Sequence, residues 1–284
     1  MSEDLVTTHR RLLFRIAYDL LGSVTDAEDV VQETWLRWDA ADRSDVREPR
    51  AYLVRITTTL ALNRLRDLRR RRESYIGPWL PEPLIEPDPG EEVDERLARE
   101  QEVSLAMLVV LETLSPAERA VFVLREVFGM SHEEVASTLD RSPAAVRQMA
   151  HRAREHVQAR QPRFSAGLEE QRKVTALFLQ ACATGDLATL MELLAPDVTL
   201  VSDGGGRVKA ARRPILGPEK VARFLLGIAG EASEFGLELA LVNGDLGMVG
   251  RRADGAPTVG LLEMADGKVT CVYLLANPEK LAHV

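Results

Sequence analysis

The chain has 284 residues, a formal net charge of −8, and 28% charged against 45% hydrophobic residues, a mixture that excludes wholesale disorder. Its length suits about two or three domains, each able to bury a core. No run approaches the ~20 apolar residues of a membrane helix, and the opening MSEDLVTTHR lacks the apolar segment of a signal peptide, so a cytoplasmic protein without a membrane partner is expected. Cys182 and Cys271 stand singly in the apolar stretches ALFLQACA and VTCVYLL, which points to buried thiols and away from a disulfide or a cysteine-rich metal centre. Neither a metal nor a cofactor is expected.

Helical periodicity begins at once. Leu5, Leu12, Leu13, Ile16, Ala17, Leu20 and Leu21 fall at helical spacing as far as Gly22. Thr25-Asp26-Ala27-Glu28 predicts a capping box opening a second helix, which buries Val30, Val31, Thr34, Trp35 and Trp38. After a polar loop over 39–48, Pro49 opens a long helix through Tyr52, Leu53, Ile56, Leu60 and Leu65. That helix runs into Arg64, Arg66, Arg69, Arg70, Arg71 and Arg72 against Asp67, a local charge of +5. A first all-helical module over 1–73 is therefore expected.

Residues 74–92 carry five prolines, at 78, 81, 83, 87 and 89, which forbid a continuous helix or a central strand. The segment is a linker, yet Tyr75, Ile76, Trp79, Leu80, Leu84 and Ile85 are costly to leave in water, so it is expected to dock on a folded surface. From 82 to 102, nine acids stand against Arg96 and Arg99, a local −7. The linker is taken as 74–100. Six arginines against Glu155 between 141 and 163 make a second basic cluster, and two such clusters in an acidic protein suit a polyanionic partner.

The second helical module, 101–160, has sharply written boundaries. Ser115-Pro116-Ala117-Glu118 and Ser131 with Glu134 are capping boxes, and Ser142-Pro143 is a third cap followed by proline. The last two starts bracket a short helix over 131–139, a turn at Asp140-Arg141 and a longer helix over 143–159, which is helix-turn-helix spacing. On the longer helix Val146, Met149, Ala150, Ala153 and Val157 share an inward face. Ala144, Arg147, Gln148, His151 and Arg152 share the other, which suits a DNA major groove: arginine reads guanine and glutamine reads adenine through paired hydrogen bonds. Arg141, Arg154 and Arg160 would grip phosphates and set register.

After a hinge over 161–168 the texture changes. Helices over 169–184 and 186–194 precede a strand at 197–201; a helix starting at Gly217-Pro218 follows, then strands at 236–242, 246–252, 257–265 and 268–275. The turn signals between them, Asn243-Gly244 and Asp266-Gly267, suit hairpins. Residues 169–284 thus form an α+β domain with a mostly antiparallel sheet.

With these strings in view a family resemblance emerges. DAEDVVQETWLRW and PRAYLVRITTTLALNRLR resemble region 2 of bacterial sigma factors, and SHEEVASTLDRSPAAVRQMAHRARE resembles region 4. Their order, with a short linker between, resembles the extracytoplasmic-function sigma factors. YIGPWLPEPL (75–84), DGGGR (203–207) and NPEKL (277–281) resemble the motifs of the subgroup with a fused SnoaL-like domain, of the nuclear-transport-factor-two-like fold, a cone with a curved sheet. The resemblance implies a dissociable promoter-recognition subunit of core RNA polymerase, monomeric when free, that contacts duplex DNA at −35 and single-stranded DNA at −10. It further implies a C-terminal domain acting in cis as regulator.

The resemblance assigns residues. Asp26, Asp29, Gln32 and Glu33 would form an acidic face toward a basic coiled coil of the polymerase. Arg55, Thr59, Asn63, Arg64 and Arg66 would capture the unpaired −10 strand, with Tyr52 and Thr59 replacing the usual tryptophan and asparagine, so an altered −10 preference is expected. Arg147, Gln148, His151 and Arg152 align with −35 readers. Asp140 stands where glycine is frequent in the helix-turn-helix, tolerable because aspartate visits the left-handed region more readily than most residues.

Trp79, Leu80 and Pro81 of the linker and Asn277, Pro278, Glu279, Lys280 and Leu281 of the tail are expected to dock near Asp203, Gly204, Gly205, Gly206 and Arg207. SnoaL-like folds also include enzymes that use a carboxylate and a histidine. His9, His132, His151, His156 and His283 are the only histidines and none lies between 157 and 282, so no catalytic residue is assigned and the chain is not expected to be an enzyme. Asp203 as a carboxylate base, a small ligand in the C-terminal cavity, and a stand-alone helix-turn-helix regulator remain the alternatives.

Overall fold

Helix α1 (Ser2–Leu21) buries Leu13, Ile16, Ala17, Tyr18, Leu20 and Leu21 and ends at Gly22, whose φ of 65° only glycine adopts freely. That turn leaves Ser23 extended (φ −136°, ψ 125°), so Ser23, and not Thr25, caps helix α2 (Val24–Ala40) by accepting the Asp26 N–H at 3.2 Å. The capping box expected at Thr25 and Glu28 therefore does not form; Thr25 lies within the helix and Glu28 pairs with Arg10 at 2.7 Å. Helix α3 (Pro49–Arg72) follows. Helices α4 (Leu105–Leu111) and α5 (Pro116–Phe122), a π turn over Val123–Val127, α6 (His132–Leu139) and α7 (Pro143–Gln158) complete the helical part. Reciprocal capping boxes form at Ser115/Glu118 and Ser131/Glu134, and Ser142 caps α7. The computed structural model describes residues 2–42, 46–87, 103–160, 167–232, 237–251 and 255–284. The acidic stretch from 88 to 102 and residues 161–166 of the expected hinge lie outside the described residues.

The chain divides into two compact units: Met1–Ser74, Gln101–Val103 and Met107–Gln161 form the first, and Tyr75–Glu100, Ser104–Ala106 and Pro162–Val284 the second. In the first, α3 packs against α5 and α6, so both helical segments share one body. A buried arginine cluster ties them. Arg119, fully buried, donates to the Asp19 carbonyl at 3.1 Å and pairs with Glu112. Arg72 also pairs with Glu112 and donates to the Leu21 carbonyl at 3.0 Å, while Arg69 donates to the Glu112 and Leu114 carbonyls. Burial lowers the Arg72 pKa to about 10, against the opposing pull of Glu112. Arg69 and Arg72 thus leave the basic run that the sequence presents as one exposed patch.

The second unit sets helices α8 (Leu168–Thr184), α9 (Leu187–Leu193) and α10 (Pro218–Ala232) with a mixed sheet of order β1-β4-β5-β6-β7-β2-β3. Its strands are β1 (Ile85–Pro87), β2 (Leu194–Asp203), β3 (Ile215–Leu216), β4 (Glu238–Val242), β5 (Asp245–Arg251), β6 (Pro257–Ala265) and β7 (Lys268–Leu275). All neighbours are antiparallel except β2 and β7. Asn243 (φ 52°) with Gly244 and Asp266 (φ 52°) with Gly267 make the hairpin turns, both central residues left-handed as the right-handed strand twist favours. Val174, Phe178, Leu190, Leu225, Met248, Leu262 and Val272 belong to one buried cluster between helices and sheet.

Sequence alone does not place β1. Its residues come from the proline-rich linker and add an edge strand on β4, Ile85 opposite Val242, while the Leu84 N–H donates to Asn243 Oδ1 at 3.1 Å and the Asn243 N–H to the Leu84 carbonyl at 2.8 Å. An edge is where prolines are tolerated. No helix of the described residues is long and apolar enough to cross a membrane, and no cluster of three metal-ligating side chains occurs among them.

Candidate functional site

Helix α7 buries Val146, Ala150, Ala153 and Val157 and exposes Ala144, Arg147, Gln148, His151 and Arg152 along one side. The turn before it is made by Asp140 at φ 53°. Acids from neighbouring elements hold the arginines: Glu133 lies 3.8 Å from Arg147, Glu118 3.2 Å from Arg152 and Glu126 3.3 Å from Arg154. These exposed pairs contribute little stability. They do preorient guanidinium groups that a phosphate or a base edge could take over. Arg141 is exposed. The acidic partners were not singled out in the sequence, because their spacing from the arginines is tertiary.

On α2, Asp29, Gln32 and Glu33 are exposed side by side, and Asp26 is half-buried beside them. Arg64 of α3 bridges Asp26 and Asp29, both at 2.7 Å, so a residue expected at the −10 strand sits within the acidic face. Asn63, Arg64 and Asp67 share one surface depression with Asp29, Gln32 and Glu33. Leu36, 70% exposed, lies in the same depression and was missed; an apolar side chain on the polar side of an amphipathic helix is the signal that could have found it. Asn63 accepts a hydrogen bond from Arg66 at 2.7 Å, and Arg55 and Thr59 lie exposed one turn apart, the Thr59 hydroxyl donating to the Arg55 carbonyl at 2.8 Å.

In the second unit the linker and tail motifs converge on Asp203. Its carboxylate is fully buried and accepts from the Tyr75 hydroxyl (2.5 Å), the Leu80 N–H (2.8 Å), the Gly205 N–H (3.1 Å) and Lys280 Nζ (2.6 Å). Lys280 also donates to the Leu80 carbonyl at 2.5 Å and lies over the Trp79 ring, 4.0 Å from its centroid. Asn277 donates to the Tyr75 hydroxyl at 2.9 Å. Burial, then the Asp203 hydrogen bond, raises the Tyr75 pKa, so the phenol stays a donor.

Leu80, Pro81 and Leu281 are buried; Pro278 is exposed, and exposed Arg207 pairs with Glu279 at 2.7 Å. The glycines are required here. A Cβ on Gly205 would lie 2.3 Å from the Asn277 side chain, one on Gly206 2.9 Å from Ile76, and one on Gly204 2.7 Å from the Val208 carbonyl. The geometry thus brings the three predicted motifs together, with Tyr75, the first residue of the linker motif, bonded to Asp203 and Asn277.

Successive strand residues point to opposite faces. At the end of β2, Asp203 turns to the linker and Ser202 lines a cavity of about 350 Å³ between the sheet and helices α8 and α10. Asp203 does not line that cavity, which leaves the carboxylate-base alternative without geometry. Cys182 does, but burial pushes its thiol up to about 11, so it stays protonated.

The sequence matches the family models Sigma-70 region 2 over residues 5–71 and Sigma-70, region 4 over residues 104–157. It is 40% identical over 283 residues to the ECF RNA polymerase sigma factor SigJ of Mycobacterium tuberculosis, covering 95% of this chain and 90% of that protein. RNA polymerase sigma-E factor of Streptomyces coelicolor is 33% identical over 156 residues, 53% of this chain and 80% of that protein. The crystal structure of Mycobacterium tuberculosis SigJ superposes with a TM-score of 0.77 at 36% identity, covering 97% of this chain and 96% of that one. A stand-alone helix-turn-helix regulator would not carry region 2, and that alternative falls. The chain belongs to the extracytoplasmic-function (ECF) sigma factors, with regions 2 and 4 followed by an α+β domain.

Proposed function

We propose that the acidic face of Asp26, Asp29, Gln32 and Glu33 docks this sigma factor on core RNA polymerase, with the exposed Leu36 at its centre. Arg64 shields two of these acids in the free chain and is released when basic groups of the polymerase replace it. Arg55, Thr59, Asn63 and Arg66 then meet the −10 strand. Arg147, Gln148, His151 and Arg152 read the −35 duplex, with Arg141 and Arg154 on phosphates. The protein works in the cytoplasm as a monomer and not as an enzyme; Asp203, the carboxylate base considered for the C-terminal domain, is paired with Lys280.

The second unit regulates in cis. The observation that carries this is the latch: the linker leaving region 2 is fastened by Asp203 and Lys280, at its Leu80 amide and carbonyl. Fastening shortens the free tether between regions 2 and 4, so docked and released linkers differ in promoter engagement. The test is co-elution with bacterial core polymerase, plus run-off transcription from a selected promoter, for the full chain, Asp203→Asn, Arg147→Ala and a truncation after Gly167. Core binding by all, changed promoter output for Asp203→Asn and the truncation, and lost −35 discrimination for Arg147→Ala are expected. No core binding by any form would refute the α2 face, and unchanged output for Asp203→Asn and the truncation would refute the latch as a regulator.

A further inference from the structure

The cavity of about 350 Å³ has the size of a small-molecule site and plays no part in the contacts described so far. Its walls are apolar: Phe178 from α8, Phe224 and Ile228 from α10, Met248, Val272 and Leu274 from the sheet. Gly260, in the middle of β6, leaves room; a Cβ there would come within 3.0 Å of the Met248 side chain. Two features break the apolar lining. Thr258 Oγ1 is buried and finds no hydrogen-bond partner among the described residues, although a buried hydroxyl normally has one. Lys209 is the single charged residue among the described lining residues, exposed at the rim.

The rim leads to the latch. After Gly204 the chain folds back tightly, Arg207 and Val208 N–H both bonding the Gly204 carbonyl, at 2.9 and 3.2 Å. The returning limb carries Lys209 and Ala210, which line the cavity and also line a second hollow whose other wall is Ile76 and Gly77 of the linker. Ser202, shared by both hollows, directly precedes Asp203. One loop is therefore in contact with a ligand-sized space on one side and with the linker on the other.

We propose that this cavity is a sensor site for a small apolar anion of the monocarboxylate class, its chain among the aromatic and aliphatic walls and its charged end at Lys209, and that occupancy alters how the linker docks. A neutral apolar molecule would leave the lysine unused, and a cation would be repelled by it. Among the described lining residues, a protonated thiol, two hydroxyls and a lysine offer no acid–base pair, so the role assigned to the site is binding. The proposal rests on the latch reading above for its output, although not for the binding itself.

The full chain is titrated calorimetrically with straight-chain carboxylates from butanoate to decanoate, with 1-octanol and with octylammonium, and amide exchange over 76–87 is followed with and without octanoate. Octanoate should bind at least tenfold tighter than octanol, and octylammonium should be weakest. The exposed substitution Lys209→Gln should bring octanoate to within threefold of octanol, and Ala229→Trp, which fills the cavity, should abolish both. Octanoate should change exchange of the Leu84 amide at least fivefold. No binding by any carboxylate, binding without preference for the anion, or binding that Ala229→Trp leaves intact would overturn the site; binding with unchanged linker exchange would overturn its coupling. Asp203→Asn without ligand reads the latch separately, so failure of the sensor and failure of the latch give different results.

Discussion

Asp203→Asn is the sharpest test of what holds the linker. The substitution keeps the volume but replaces one acceptor oxygen by an NH2 group among four donors, and leaves Lys280, 6% exposed, without its counterion. Breaking a buried ion pair costs about 3–5 kcal/mol. The Leu80 carbonyl and the Trp79 ring stay with the ammonium and offset about 1 kcal/mol of that. A net loss of about 2–4 kcal/mol in linker docking follows, which at ~1.4 kcal/mol per decade is roughly a thirty- to several-hundred-fold faster opening. The reporters are the Leu84 and Asn243 amides, which bond across β1 and β4 only while the linker is docked and lie away from the substituted side chain. Hydrogen exchange at those two sites within threefold of wild type would refute the account. A cycle with Lys280→Met adds a second reading: the two substitutions should couple, the double variant being less damaged than the sum of the singles.

Glu112→Ala should lower the stability of the helical unit by about 3–5 kcal/mol in urea denaturation followed by helical circular dichroism, because it strands fully buried Arg119; a loss under 1 kcal/mol would mean that solvent reaches the cluster. Gly205→Ala should speed Leu84 exchange, since the new Cβ meets Asn277 at 2.3 Å, whereas Gly185→Ala, with φ 71° but nothing within 4 Å, should leave it unchanged. Asp245 is held up at about 6 by burial and then by Glu263, from an ordinary 3.8. The folded state therefore binds more protons than the unfolded state between about pH 4 and 6, and stability falls as pH rises through that window, by about 3 kcal/mol for a shift of this size. Asp245→Asn should raise stability at pH 7.5 and flatten that slope in thermal melts across pH 4 to 7.5; an unaltered slope would assign the pH dependence elsewhere.

What could be read in advance followed local physics. The Ser115 and Ser131 capping boxes, the two hairpin turns and the strands from 257 to 275 are written in neighbouring residues, and each forms. The two-residue error at the start of α2 is local too: Gly22 and Thr25 both signal a boundary, and the left-handed glycine moved the cap to Ser23. Tertiary partners were invisible. Nothing in the Arg69–Arg72 run marks which arginines turn inward to Glu112, because that depends on the packing of α3 against α5 and α6. The apolar linker announced that it needed a surface, and the motif resemblance named one. Tyr75 and Ile85 gave no sign, by spacing, of the hydroxyl bond to Asp203 or of the strand on β4.

The latch also has a position in time. Lys280 closes on the carbonyl of a residue 200 positions earlier in the chain. At a synthesis rate of about 5–20 residues per second, the linker emerges from the ribosome roughly 10 to 40 seconds before its clamp. Region 2 is complete before that interval begins and region 4 within it, since their matches end at residues 71 and 157. Each molecule therefore begins life with its linker unclamped, and the clamped state is one that it enters only once its last strand has joined the sheet.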